Sequence, residues 1–116
     1  MREPERDKGL LQDIVTYAGN VLKIMDNVTD VEDFKTNIMA YYSVMKNIEI
    51  IGEAAYKLTK EFRLQHNEIP WEQIIGMRHV LVHGYATVTP KKLYMTATED
   101  IEPLKQQAES LLEKLQ

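Results

Sequence analysis

The sequence predicts an all-α fold, an up-and-down bundle of four main helices plus a short one. Three observations carry that expectation. Apolar residues recur at steps of three and four almost throughout the 116 residues. No segment alternates apolar and polar residues long enough for a half-buried strand. Two breaker-rich stretches, QHNEIP at 65–70 and ATVTP at 86–90, separate the apolar stripes.

The elements follow in order. Leu10, Leu11, Ile14, Ala18, Val21, Leu22 and Met25 make one stripe, which predicts a helix over roughly residues 5–27. Pro4 suits its first turn. Thr29 and Glu32 have capping-box spacing and predict a short helix through Asp33 and Phe34. A second long stripe runs Ile38, Tyr41, Met45, Ile48, Gly52, Ala55, Leu58 and Phe62. Glycine inside a helix costs ~1 kcal/mol relative to alanine, so Gly52 beside Ala55 predicts a neighbouring helix packed close. Trp71, Ile74, Ile75, Arg78, Leu81 and Val82 continue a third long helix, which Gly84 ends by the left-handed conformation open to glycine. ATVTP reads as a connecting loop. The last helix, Lys91 to Leu115, turns Leu93, Tyr94, Ala97, Ile101, Leu104, Ala108, Leu111, Leu112 and Leu115 inward. Pro103 predicts a kink or break near Asp100.

Composition narrows the functions. One domain spanning 1–116 is the expectation at this length. Hydrophobic residues at 44% and charged residues at 28% suit a globular chain rather than a disordered one. There is no cysteine, which excludes disulfides, thiolate metal sites and cysteine nucleophiles. The charged N-terminus has no apolar segment of a secretory signal, and no apolar run approaches the ~18 residues of a membrane span. A soluble, cytoplasmic protein without membrane association is expected. The net charge of −4 argues against a generic nucleic-acid binder. Its distribution is uneven: residues 1–55 carry −4, residues 56–92 carry +3 and residues 93–116 carry −3. A positive site on an acidic body attracts phosphate while the remaining surface repels it, although on charge alone chance scatter is the preferred reading.

The positive region holds the densest polar cluster, Arg78-His79-Val80-Leu81-Val82-His83-Gly84-Tyr85. Arginine is always charged and presents a planar fork of donors to phosphate oxygens. Histidine titrates near neutral pH and serves as general acid or base. Together they can cleave RNA without a metal: the 2′-hydroxyl attacks its own 3′-phosphate, His83 moves a proton, and Arg78 stabilises the phosphorane. Residues five apart on a helix are rotated by ~140°, so Arg78 and His83 converge most simply when two copies pair across a two-fold axis. The bland alternative is that these cations complement a helix C-terminus, and on pattern alone it is the stronger of the two. His79 and His83 share a face, yet no zinc-protease glutamate lies between them, so neither a metal nor another cofactor is expected.

Other residues resolve as structure. Glu53 reads as a packed group, Tyr41, Tyr42 and Tyr56 as core or interface, and His66 as an exposed loop residue. Lys91 and Lys92 open a helix where the dipole disfavours cations, a small local cost that points to an anionic partner.

The sequence resembles the HEPN superfamily, specifically the HepT-like toxins, from about Arg6 to Leu115. The resemblance is carried by NIEIIGEAAYKL at 47–58, IPWEQIIGMRHVLVHGY at 69–85 and the leucine-rich last helix. The family motif of Arg, four residues, His, any residue and Tyr is matched at Arg78, His83 and Tyr85. The resemblance implies a HEPN-like helical homodimer with the motif at the dimer cleft. It implies a metal-independent endoribonuclease, the toxin of a type II toxin–antitoxin pair, with Arg78 and His83 as the active pair and RNA, tRNA or mRNA, as substrate. The antitoxin it implies is a minimal nucleotidyltransferase that adds AMP to Tyr85. His79 departs from the Asn common after the motif Arg and has a supporting place. Two other readings stand beside this one: a non-catalytic nucleotide- or substrate-binding module accompanying a nucleotidyltransferase, and a purely structural helical dimer.

Overall fold

The computed structural model describes the backbone of residues 3–115, and side chains from residue 5 onward except that of Tyr85. Among the described residues there is no strand. Helix α1 (Glu3–Met25) buries Leu11, Ile14, Ala18 and Val21, one residue per turn along the predicted stripe. It begins and ends about two residues earlier than the periodicity suggested.

Helix α2 (Val31–Thr36) is the predicted short helix, but its cap is Asp30 rather than Thr29. The Asp30 carboxylate accepts the Asp33 N–H at 2.8 Å, and the Asp33 carboxylate accepts the Thr29 N–H at 3.0 Å. The shorter, charged acceptor takes the capping place. Its one buried residue, Phe34, anchors a cluster with Tyr41 and Tyr94 at centroid distances of 5.3 and 5.9 Å.

Helix α3 (Ile38–Lys57) starts on an Asn37 cap, whose side chain accepts the Ala40 N–H. The second stripe is not one helix. It breaks at Leu58, whose backbone is extended, and resumes as α4 (Lys60–Gln65). Thr59 explains the break. Its hydroxyl accepts the Phe62 N–H to cap α4, and donates to the Asp7 carboxylate at 2.8 Å. The same carboxylate accepts the Thr59 N–H at 3.0 Å. Asp7 is only 4% exposed, so the two bonds offset the desolvation of its charge.

The expected break at 65–70 precedes α5 (Trp71–His83). Trp71 is buried and donates its indole N–H to the His66 carbonyl at 2.9 Å. His66 lies in the turn after α4, as expected, but is half-buried rather than exposed, with its ring on Phe62 at 4.6 Å. After α5 a 3-10 turn (Tyr85–Thr87) and the buried Val88 fill most of the expected loop. Helix α6 (Pro90–Met95) opens on a Thr89 cap with proline in its first turn. It runs through a π turn (Thr96–Asp100) into α7 (Ile101–Leu115). The disruption expected from Pro103 takes that form, because proline supplies no N–H to the carbonyl one turn back. The Ile101 N–H instead reaches the Thr96 carbonyl, five residues back.

The long helices pack in the order α7, α1, α3, α5. Leu104, Ala108 and Leu111 of α7 face α1, and Val44, Ile48 and Ile51 of α3 complete the core. The expected bundle of four long helices and one short one therefore gains two further short helices, α4 and α6. Between α5, α3 and α7 an apolar cavity of about 170 Å3 remains, lined by Ile48, Ile51, Ile74, Met77 and Leu104, with Glu99 and Asp100 of the π turn at its side.

Candidate functional site

The close approach expected at Gly52 is made by Arg78 itself. A Cβ built on Gly52 would overlap the Arg78 Cβ and lie 3.1 Å from the Ile74 carbonyl. Only glycine at this point of α3 lets α5 come near enough to seat the arginine stem. One helical turn further along α3, the Arg78 guanidinium lies over the Tyr56 ring, its central carbon 5.5 Å from the centroid. Gly52 and Tyr56 thus form the floor that holds Arg78.

Among the described residues the arginine has no carboxylate partner. The ion pairs among the described residues are Lys46–Glu49, Lys57–Glu53, Arg63–Glu72 and Lys105–Glu109. The Arg78 Nε is buried and donates to nothing. A half-buried, permanently charged group that lacks a counter-ion favours an anion from outside.

His79 and His83, by contrast, come together on the exposed side of α5, with ring centroids 4.8 Å apart and planes inclined by 54°. Their neighbours Val80 and Val82 are each 39% exposed, an unusual amount of apolar surface around a polar pair. Arg78 contacts α3 and His83 contacts His79, so the motif arginine and histidine occupy different sides of α5 in one copy. Among the described residues, no group of three or more His, Asp or Glu could hold a metal ion. No helix of the described chain is long and apolar enough to cross a membrane.

Gly84 does end α5, but not by a left-handed backbone. Its φ is −148° and its ψ 39°. Its N–H donates to the Val80 carbonyl at 2.7 Å, and its own carbonyl accepts both the N–H and the hydroxyl of Thr87. The 3-10 turn thus replaces the expected glycine cap. The side chain of Tyr85, the predicted AMP acceptor, lies outside the described side chains.

Other expectations change. Glu53 is no packed group; its side chain is 43% exposed and pairs with Lys57 at 3.2 Å. Of the core or interface places expected for Tyr56 and Tyr42, exposures of 57% and 59% leave only the interface one. Tyr41 is half-buried on Phe34, and its phenol is held above the ordinary tyrosine range, first by burial and then by Tyr42. Lys91 and Lys92 are exposed in the first turn of α6. Tyr56, expected as core or interface, is the residue that the Arg78 guanidinium lies over. Its signal was position: it stands four residues after Gly52, on the face where the neighbouring helix comes closest.

A family model described as ribonuclease HepT-like matches residues 14–111. Several curated proteins are similar over most of their length, each named, provisionally, as a ribonuclease. One from Methanocaldococcus jannaschii, whose name carries RNase, is 32% identical over 114 residues, covering 97% of each chain. One from Thermococcus cleftensis, whose name carries ribonuclease HepT, is 39% identical over 80 residues, covering 69% of this chain and 73% of its own. One from Caldanaerobacter subterraneus subsp. tengcongensis, again carrying RNase, is 37% identical over 83 residues, covering 72% and 74%. No solved structure matches the chain significantly.

Proposed function

The chain belongs to the ribonuclease HepT-like family, and from that premise we propose that it is a metal-independent endoribonuclease, the toxin of a type II toxin–antitoxin pair, with Arg78 and His83 as its catalytic residues. The observation that carries this reading is the state of Arg78. It is seated by Gly52 and Tyr56, partly desolvated, and left without a carboxylate. A helix-end charge arrangement needs none of that construction.

Two copies related by a two-fold axis complete the site. Each copy brings one guanidinium and one imidazole, and Val80 and Val82 supply apolar surface that a second copy covers. In the groove, one His83 takes the proton of the 2′-hydroxyl as its oxygen bonds to phosphorus. The other gives a proton to the 5′-oxygen as the phosphorus–O5′ bond breaks. Both Arg78 side chains face the charge that builds on the phosphorane oxygens. The products are a 2′,3′-cyclic phosphate and a 5′-hydroxyl, and DNA, which has no 2′-hydroxyl, is spared. His79, ring against ring with His83, supports that imidazole.

Regulation follows from the same charges. A partner nucleotidyltransferase transfers AMP from ATP to the Tyr85 phenol oxygen, releasing pyrophosphate. Tyr85 lies two residues beyond His83, so the added phosphate and adenosine occupy the positive groove and repel RNA.

The test is cleavage of tRNA and mRNA in chelator, by the native chain and by His83→Ala. Loss of cleavage and of growth arrest in a variant that melts normally supports the mechanism, and full toxicity in that variant rejects it. A mass increase on Tyr85 with partner and ATP, in a protein that never cleaves RNA, would favour the non-catalytic binding module instead.

A further inference from the structure

We infer that Tyr56 is a nucleobase platform: the base next to the phosphate held by Arg78 stacks on the ring face that the guanidinium leaves open. The inference rests on the ribonuclease reading and adds a subsite to it.

Tyr56 lies in the last turn of α3 with 57% of its surface exposed. It takes no part in the apolar core, which enlists Tyr17, Tyr41 and Tyr94 at its margin but not Tyr56. The Arg78 guanidinium lies over its ring at 5.5 Å, and the contact at Gly52 locks α5 at that height on α3. The charged neighbours on the same helix, Glu53 and Lys57, pair with each other. A large aromatic surface therefore stands in water beside a cation that seeks an anion.

A nucleotide carries the matching pair of groups, a phosphate and a flat base joined through one ribose. With the phosphate on the outer donors of Arg78, the attached base comes within reach of the adjoining ring. Stacking of this kind accepts any base, since each has a π face. It also requires the base to be free of a duplex, where its faces are already covered.

The experiment uses the full-length protein and a single-stranded oligoribonucleotide that carries 2-aminopurine and 2′-O-methyl groups, so that it binds without being cut. Unmodified RNA of the same sequence reports cleavage in parallel. The native chain and Tyr56→Phe are expected to quench the 2-aminopurine and to bind alike. Tyr56→Ala is expected to lose the quenching and to bind roughly ten-fold more weakly, with an unchanged melting temperature because the side chain is exposed. A duplex of the same sequence is expected to bind weakly to all three. If Tyr56→Ala binds and quenches like the native chain while native protein cuts RNA, the platform is refuted and the ribonuclease reading survives. If it slows cleavage at unchanged affinity, Tyr56 only orients Arg78 and the platform is again refuted. If the native chain binds with Tyr56-dependent quenching yet never cuts, the platform stands and the ribonuclease reading falls. If it neither binds nor cuts RNA, both fall.

Discussion

Arg63 on α4 and Arg78 on α5 begin from the same difficulty and are resolved differently. Each buries an Nε that donates to no acceptor. Arg63 stands 4.0 Å from the Glu72 carboxylate, so its charge is answered within the chain, though by a glutamate that is 91% exposed. Among the described residues Arg78 is answered only by the face of Tyr56. The quadrupole of an aromatic ring attracts a cation without neutralising it, so Arg78 keeps an open demand for negative charge and Arg63 does not. The difference separates an arginine whose charge meets a weak surface pair from one whose charge meets no carboxylate among the described residues.

The largest expected effect breaks the comparison at its functional end. Arg78→Ala is expected to lower RNA cleavage by roughly 10²–10³-fold, the range for loss of one stabilising donor. Arg63→Met, which keeps most of the apolar stem, is expected to leave cleavage within a factor of two or so, because its charge serves only a weak surface pair. Initial rates on one RNA at fixed salt decide the matter, and equal losses in both variants would erase the distinction.

The seat of Arg78 is tested next. Gly52→Ala inserts a methyl group where the Arg78 Cβ already lies. It is expected to cost about 1–3 kcal/mol in urea unfolding, as overpacking does, and to reduce cleavage as Arg78 shifts. Gly76→Ala, on the same helix as Arg78, meets nothing within 4 Å. It is expected to gain about 0.5–1 kcal/mol through helix propensity alone. Opposite signs at two glycines would show that the close approach, not glycine as such, serves the site. A stabilised Gly52→Ala would contradict the geometry described here.

The smallest effect concerns the other arginine. Glu72→Gln is expected to change stability by less than about 0.5 kcal/mol, since an exposed partner at 4.0 Å contributes little in water. Thermal melts at low and high salt would detect a larger contribution as a salt-dependent difference.

The helical character of the chain and its motif were legible from residue order. The stripe through Leu11, Ile14, Ala18 and Val21 is buried as its spacing required, and Pro103 disturbed the last helix where expected. Both depend on local rules, a period of 3.6 residues and a missing N–H, that operate within a turn or two. The Arg-x4-His pattern and its resemblance to a ribonuclease family are likewise carried by near neighbours in the chain. The Thr59 cap on the Phe62 N–H is a local signal of the break at Leu58 that the apolar stripe masked, while its second partner, Asp7, lies 52 residues away and is not readable from order. Nor did residue order reveal the contact of Tyr56 with Arg78, which joins two helices. Local periodicity therefore determined that the chain is helical and most of what faces inward, although Ile38, Val82 and Leu115 of the stripes are exposed. Only the packing of α3 against α5 decided that Arg78 has a ring beneath it and no carboxylate beside it, because contact between distant segments depends on shape and register across the fold.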